Sequence, residues 1–568
     1  MSGIIIDPYR FGVAAATEFK MTVDTTQAGS AADTFVLPFY AVGTYNLTVS
    51  WGDGTSDVIT AFNQAELTHV YSASGSYQIE LDGDFGAIFF NGLGDKLKLS
   101  SIDNWGTNQW TYGQRCFLGC SNMVGNYTDS PDMSLVPSLA FFFQSCTSFS
   151  GDVIWDIPAC TSVYQMFLSC TSFNGEVIFT NTAALTNTQY LMYNCPLFNN
   201  TISIADTSNV TNMSHMFYSC KVFNQPISFD TSSVTNMYQM FYQCWVFNQP
   251  VVFDTSSVTN MASMFQYAYV FNQPVAFNTS NVTTMSNMFN DCDQFNQVIN
   301  FDGAKVTTLY RFLFAADSFN SSITISNTSL CTTAQYMFYD ADVFNQPLTL
   351  DCTSMTNVSF MFQGCHAFNS AISFSNTSNI TDMRYMFHSC TAFNQPVSLD
   401  TSSVTSMAYM FHSCSAFNKP LTFNTALVTD MQYMFYLNTT FNSVLTFSDT
   451  SNVTNFTRMF QSCTAHDTNY DFDTSSATNI SLMFYNNTNW NHDISGYDIS
   501  NVTTAGQMLQ LTAFSTTNYD LLLPAWNADG TSGVIFHAGN AQYNTGAPAT
   551  ARAAMIGRSW VITDGGPV

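Results

Sequence analysis

The sequence predicts a repeat solenoid with one short parallel strand and one helix per 24–25 residues, preceded by a small antiparallel β-sandwich. Three observations carry this. The stretch VTNMYQMFYQCWVFNQPVVFDTSS at 234–257 is followed at once by VTNMASMFQYAYVFNQPVAFNTSN. The phenylalanine of the M-F pair, or its substitute, recurs from Phe117 to Leu509 in steps of 24 to 26 residues. A chain of 568 residues with 46% apolar residues and 52 phenylalanines is far longer than one domain, yet rich in core material, as expected of a core that grows by addition.

Each repeat reads as a small amphipathic unit. Val234, Met237, Met240, Phe241, Cys244 and Phe247 fall at helical spacing, so a helix with one apolar face is expected, with Thr235 or the serines before it as cap. Pro250 stops the helix. Val251 to Phe253 then favours a strand with Val251 and Phe253 inward, and DTSS closes the unit as a polar turn. One unit cannot bury both elements, and stacking supplies the missing walls. Outward strand positions Ser228, Val252, Ala276, Thr349, Ser398 and Thr422 are expected to line a concave sheet. Small and varied, they suit contact rather than catalysis, and they are the candidate recognition residues.

Eleven of the 15 cysteines share one slot, three residues after the M-F phenylalanine, and Ala268, Ala341, Asn438 and Asn487 replace them elsewhere. The slot asks for a compact side chain, and a buried thiol column is the favoured reading. Occasional disulfides between turns and a metal site are the alternatives, the latter disfavoured because only Cys116 and Cys120 lie close in sequence.

The two ends have different grammar. Residues 1–29 read as an attachment segment, and 30–90, with WGDG and GSYQIEL, as the β-sandwich. Residues 91–120 form an amino-terminal cap and first repeat, 121–512 the solenoid, and 513–568 a closing cap with a short helix at 549–556 and a final strand at 560–562.

Composition narrows function. Thirteen basic against 39 acidic residues, a net charge of −26, repel nucleic acid and anionic membranes. No 18-residue apolar run and no ordinary signal peptide are seen, so neither membrane insertion nor conventional export is expected. No catalytic residues are assigned: Asp53 and His69 lack a nucleophile, and Asp230 and Asp254 belong to a repeating ladder rather than a unique cleft. No cofactor is expected. The aspartate and asparagine columns match Ca²⁺ chemistry, but Asx turns account for them more simply. The Asn-x-Thr triplets, such as 209–211, read as polar turns.

The signature V-T-x-M-x-x-M-F-x-x-C-x-x-F-N-Q-P-[VIL]-x-F-[DN]-T-S, together with WVITDGG at the carboxyl end, resembles the BspA-like leucine-rich-repeat surface proteins over residues 97–568. WGDG at 51–54 and HVYSASGSY at 69–77 resemble a polycystic-kidney-disease (PKD) type sandwich. The opening IIIDPYRFG looks like amino-terminal segments of tailed-phage virion proteins. These resemblances imply a solenoid of leucine-rich-repeat type and a bacteriophage virion protein, a tail fibre or receptor-binding adhesin. Such a protein would sit on the virion surface, on tail or capsid, held by other virion proteins through its amino-terminal region. It would recognise a host-surface glycan or protein noncovalently. A capsid or collar decoration and a cellular adhesin are the alternatives. Oligomeric state is left open, with a homo-oligomer one option.

Overall fold

The computed structural model describes residues 17–568. The chain divides into two compact units, one running to Asn260 and including Met264–Gln273, the other comprising Met261–Ser263 and Pro274–Val568. The IIIDPYRFG segment lies outside the described residues.

The first unit begins with β1 (Phe19–Asp24), β2 (Thr34–Val36), β3 (Asn46–Ser50), β4 (Ser56–Ile59), β5 (Thr68–Val70) and β6 (Ser76–Asp84). They lead into β7 (Leu99–Asn104) and β8 (Val124–Gly125). These make a six-stranded sheet in the order β4-β3-β6-β1-β7-β8, with β2 and β5 as a separate ribbon. The expected boundary at residue 30 moves. β1, assigned above to an attachment segment, alternates buried and half-buried residues and lies between β6 and β7. β7 pairs antiparallel with β1 and parallel with β8, so the sheet passes directly into solenoid pairing. β1 thereby covers an edge that would otherwise template further strands.

A buried lysine ties this region together. Lys98 Nζ donates to Ser30 O (3.1 Å), Ser30 Oγ (2.9 Å), Ala31 O (2.8 Å) and Thr34 O (2.7 Å), 3.9 Å from Asp95 Oδ1. Asp95 in turn accepts from the amides of Ser30 and Val36. The ammonium thus organises the 30–36 loop from inside, with nearly every polar atom partnered.

The helix expected in every repeat is not formed. Met237–Met240 and Phe241–Cys244 are instead consecutive four-residue turns, closed by Met240 N–H to Met237 O (3.2 Å) and Cys244 N–H to Phe241 O (3.1 Å). The third residue of each, Gln239 (φ 54°) and Gln243 (φ 57°), is left-handed, as in a type II turn, and breaks any right-handed helix. The amides of Met237, Phe241 and Gln243 instead donate to the next turn, at Asn260, Met264 and Gln266 O (3.0, 2.9 and 2.9 Å). Such turns direct every third or fourth side chain inward, reproducing the helical spacing. Val234, Met237, Met240, Phe241, Cys244 and Phe247 are all fully buried, as the stripe requires.

Each polar letter of the motif has a lattice role in both units. The motif asparagine accepts the amide of its successor one turn on: Asn248 N–H to Asn224 Oδ1 in the first unit, Asn394 N–H to Asn369 Oδ1 in the second, both 2.9 Å. The threonine after the motif valine donates to its predecessor's carbonyl, as Thr259 Oγ1 does to Thr235 O (3.1 Å). Asp230 and Asp254 close Asx turns onto Ser232 and Ser256 (3.0 and 2.9 Å). The rings stack in columns: Phe217–Phe241–Phe265 at 5.5 and 5.6 Å, and Phe362–Phe387–Phe411–Phe435 at 5.6, 5.4 and 5.7 Å.

All 15 cysteines are free and buried. The slot does more than accept a compact side chain, because its thiol donates to the M-F carbonyl of the preceding turn: Cys244 Sγ to Phe217 O (3.0 Å), Cys390 Sγ to Phe362 O (2.9 Å).

The strand side is intermittent. In the first unit β9 (Val153–Asp156), β10 (Val177–Thr180) and β11 (Ile202–Ile204) form one parallel sheet. In the second unit the parallel strands come in pairs. These are β12 (Ile299–Asp302) with β13 (Ile323–Ser326), β14 (Leu348–Asp351) with β15 (Ile372–Ser375), and β16 (Leu421–Phe423) with β17 (Leu445–Phe447). The closing region holds β18 (Thr504–Ala505), α1 (Thr516–Ala528), β19 (Ile535–His537), α2 (Ala547–Gly557) and β20 (Val561–Thr563). The sequence reading anticipates α2 and β20 but not α1, whose Pro524 lies inside the helix. Asp564, in WVITDGG, accepts from Tyr519 Oη (2.7 Å) and Arg552 Nε (2.6 Å) and locks this end.

Lys98→Met is expected to destabilise the first unit by about 3–5 kcal/mol, because Asp95 stays buried without its cation. Denaturant unfolding followed by fluorescence of the buried Trp51, Trp105 and Trp110 reads this loss.

Candidate recognition surface

The strand positions singled out by sequence are exposed as expected: Ser228 and Val252 in the first unit, Ala276, Thr349, Ser398 and Thr422 in the second. Val252 is 90% exposed. These side chains are regular and chemically bland, and none of the six is charged.

A different edge carries more distinctive chemistry. Outside residues 196–367 the two residues after the cysteine slot are mostly small, a Thr or Ser followed by Ser, Ala or Thr, as at 147–148, 171–172, 391–392, 415–416 and 464–465. The hydroxyl satisfies the lattice: Thr147 Oγ1 donates to Ser121 O (3.1 Å) and Thr391 Oγ1 to His366 O (3.2 Å). Seven consecutive turns depart from this, with Pro196–Leu197, Lys221–Val222, Trp245–Val246, Tyr269–Val270, Asp293–Gln294, Asp317–Ser318 and Asp342–Val343, followed by His366–Ala367. Folding is satisfied by threonine here, so folding does not select these replacements. Sequence reasoning missed this edge, although lining up the repeats and asking which exposed column varies would have found it.

In the first unit the edge is apolar with one cation. Trp245 is 37% exposed while the other seven tryptophans are buried. Lys221 Nζ lies 4.3 Å from its ring centroid and Tyr269 packs 6.2 Å away. Leu197, Val222 and Val246 extend the patch. The lysine orients the indole by cation–π attraction while keeping its charge in water.

In the second unit the corresponding positions are acidic. Asp293, Asp317 and Asp342 follow one another, and Asp342 Oδ1 meets His366 Nδ1 at 2.9 Å. Asp291 and Asp340 stand two residues before Asp293 and Asp342. Gly364 (φ 77°) makes room, since a Cβ there would lie 1.9 Å from Asp340 Oδ1. Burial and then the neighbouring Asp293 charge push Asp291 up to about 6, and Asp293, Asp317 and Asp340 are raised for the same kinds of reason. Among the described residues no group of three or more His, Cys, Asp and Glu is arranged to hold a metal ion.

A second half-exposed strip in this unit is aromatic. Tyr336, Phe360, Tyr385, Tyr409 and Tyr433 stack at 4.6, 4.5, 4.4 and 4.5 Å, close to the spacing of parallel rungs. His388, His412 and Tyr436 form a neighbouring column at 4.4 and 4.8 Å. The rings present edges rather than faces to solvent. Burial lowers His388 to about 4, and burial with the neighbouring His388 lowers His412 to about 3. His466, standing in the column of F-N phenylalanines with Asn487 Nδ2 at 3.3 Å, is lowered to about 3 by burial and then His492.

Asp53 and His69 pair in the amino-terminal sheet region. His69 Nε2 meets Asp53 Oδ2 at 3.0 Å and stacks on Trp51 at 4.6 Å. Burial opposes ionisation of Asp53, but hydrogen bonds from Thr55 and His69 outweigh it and hold the carboxyl at about 2.

A family model described as "Mycoplasma protein of unknown function, DUF285" matches residues 87–203, 186–276, 275–373, 348–424 and 421–526. The chain belongs to the DUF285 family. Among solved structures this DUF285 chain is similar to a leucine-rich cell surface protein from Faecalibacterium prausnitzii A2-165, at 15% identity over 59% of this chain and 94% of that one, TM-score 0.31. It is also similar to the TLR13–ssRNA13 complex at 10% identity over 77% and 74% of the two chains, TM-score 0.17. The plant peptide hormone receptor RGFR1 in complex with RGF2 aligns at 8% identity over 79% and 76%, TM-score 0.16. No curated protein matches significantly. Among the described residues no helix is long and apolar enough to cross a membrane.

Histidines whose folded pKa is depressed stabilise the fold above the ordinary value near 6.5, and that stability is lost as pH falls towards 4 and 3. Melting temperature is therefore expected to fall with pH across this window, and a His388→Tyr/His412→Tyr variant, matching the ring of Tyr436, to fall less steeply. Asp291 acts in the opposite sense, losing its contribution as pH rises through about 6, so Asp291→Asn flattens that limb. Thermal melts at pH 4, 5.5 and 7 read both slopes.

Proposed function

We propose that this DUF285 chain is a noncovalent recognition protein displayed on a surface, an adhesin whose contacts are made by side chains that the solenoid lattice does not need. One observation carries the reading: on an edge where threonine satisfies the fold, seven consecutive turns carry Pro, Lys, Trp, Tyr and Asp in its place. The patch of Lys221, Trp245, Tyr269, Val222 and Val246 is the energetic centre. It combines aromatic anchors with a cation, the mixture enriched where binding energy concentrates. The partner is a host-surface glycan or protein. The strand positions Ser228, Val252, Ala276, Thr349, Ser398 and Thr422 form a second contact surface, where many weak contacts act together.

The finer reading is a bacteriophage virion protein, a tail fibre or receptor-binding component attached through its amino-terminal region, whose sheet has the PKD-type sequence signature. It rests on the IIIDPYRFG and WGDG resemblances. A capsid or collar decoration and a cellular surface adhesin share the same recognition chemistry. The mode of action involves neither catalysis nor cofactor. Asp230 and Asp254 each accept the amide of a following serine through Oδ1 and belong to the repeating Asx turns.

Binding of the purified chain to host-cell envelopes and to a glycan array is expected, with Trp245→Ala weakening it about 30-fold, the loss of roughly 2 kcal/mol typical of a central aromatic contact. Val252→Asp separates the two surfaces. Loss on Val252→Asp with none on Trp245→Ala would move the site to the strand face, and absence of binding to any envelope would overturn the reading.

A further inference from the structure

The motif proline is not explained by burial, by the hydrogen-bond lattice or by recognition. It occupies the residue just before the first inward strand position, and the rungs sort by what fills that place. Where the strand pairs with the preceding turn, the slot holds Glu176, Thr201, Ser322, Ala371 or Val444, and its carbonyl accepts from Val153, Val177, Ile299, Leu348 or Leu421, at 2.7 to 3.2 Å. Where the slot holds Pro226 or Pro250 in the first unit, or Pro347, Pro396 or Pro420 in the second, the rung does not pair with the turn before it. Ile202, Ile227, Ile323, Ile372 and Val397, the donors that would reach those proline carbonyls, make no such bond.

The cause is geometric. In a strand, the N–H and C=O of one residue point to the same neighbouring rung. A proline in the slot therefore aims its ring Cδ, in place of an N–H, at the preceding turn, and the bulk holds the rungs apart. The gap is visible beside Pro347 as a crevice of about 290 Å³ lined by Ser322, Ile323, Thr324, Gln346, Pro347 and Thr349. Proline is sufficient for a break but not necessary, since the rung at 470–472 is unpaired with Asn469 in its slot.

We infer that the prolines of the F-N-Q-P motif are built-in spacers that divide the strand side of each unit into short paired blocks. The opposite, turn side keeps its ladder through the same rungs, as Asn357↔Asp382, Asp382↔Ser406 and Ser406↔Asp430 show for the second unit. Each proline rung is therefore a hinge: closed on the turn side and open on the strand side, where the amides before it make no bond to the proline carbonyl. A strand face so divided conforms to what it touches and does not present one long edge-to-edge sheet, and this holds whether or not the adhesin reading is right.

Hydrogen–deuterium exchange on the full chain tests this with reciprocal substitutions. In the native protein the Ile323 amide is expected to exchange at least tenfold faster than that of Leu348, which is bonded to Ala371. Pro347→Ala should slow Ile323 exchange at least tenfold by letting β13 pair with β14, and Ala371→Pro should speed Leu348 exchange by a similar factor. Equal protection of Ile323 and Leu348 in the native chain, or an unchanged Ile323 rate in Pro347→Ala, would overturn the inference. Should Ala371→Pro fail to fold, the Pro347→Ala comparison decides it alone.

Discussion

The main-chain hydrogen bond from one turn to the next is the constraint on which the rest of this molecule depends. Between the motif valine and the cysteine slot the chain alternates, one amide closing its own four-residue turn and the next reaching the following turn. Closing such turns requires left-handed residues such as Gln239, Gln243, Tyr385 and Ser389, each of which costs about 1 kcal/mol or more for a side chain with a Cβ. That cost is borne because every turn repeats it in register. Once the backbones are stacked, like side chains fall on like: rings on rings, amides on amides, thiols beneath carbonyls. The repeating sequence is a consequence of this stacking, since a residue that suits one rung suits its neighbour.

The same constraint shows where function can reside. A motif position that donates to the preceding turn cannot vary freely. Positions released from that duty can, and they cluster after the cysteine slot, where the chemistry changes from apolar and aromatic in the first unit to acidic in the second. The strand face is released differently, through proline breaks in its pairing. Rigid columns and variable edges thus belong to one design, in which the interior satisfies itself and leaves the surface to be specified turn by turn.

Much of this was legible in the sequence. The inward set from Val234 to Phe247, the inward Val251 and Phe253, and the outward Val252 follow from spacing alone, because burial leaves a period in the chain whatever the backbone does. The helix did not follow. A succession of type II turns and an α-helix give nearly the same apolar spacing, and tyrosine, glutamine and serine at the third turn position do not announce a left-handed conformation as glycine would. β1 was hidden for another reason: FKMTVD has a clear strand alternation, but its partners, β6 and β7, lie more than 50 residues downstream. α1 was obscured by Pro524. The edge bearing Trp245 was visible as letters, yet its meaning depends on knowing that threonine there serves the lattice.

The thiol column has a consequence for where such a protein can live. Fifteen cysteines would ordinarily tie a chain to one redox environment, reduced inside a cell or cross-linked outside it. Here every thiol is enclosed, and burial pushes those of the column, such as Cys220 and Cys390, well above their usual range, so the reactive thiolate is suppressed. A fold whose sulfur is held as protonated packing neither needs an oxidant to mature nor loses its shape in a reductant.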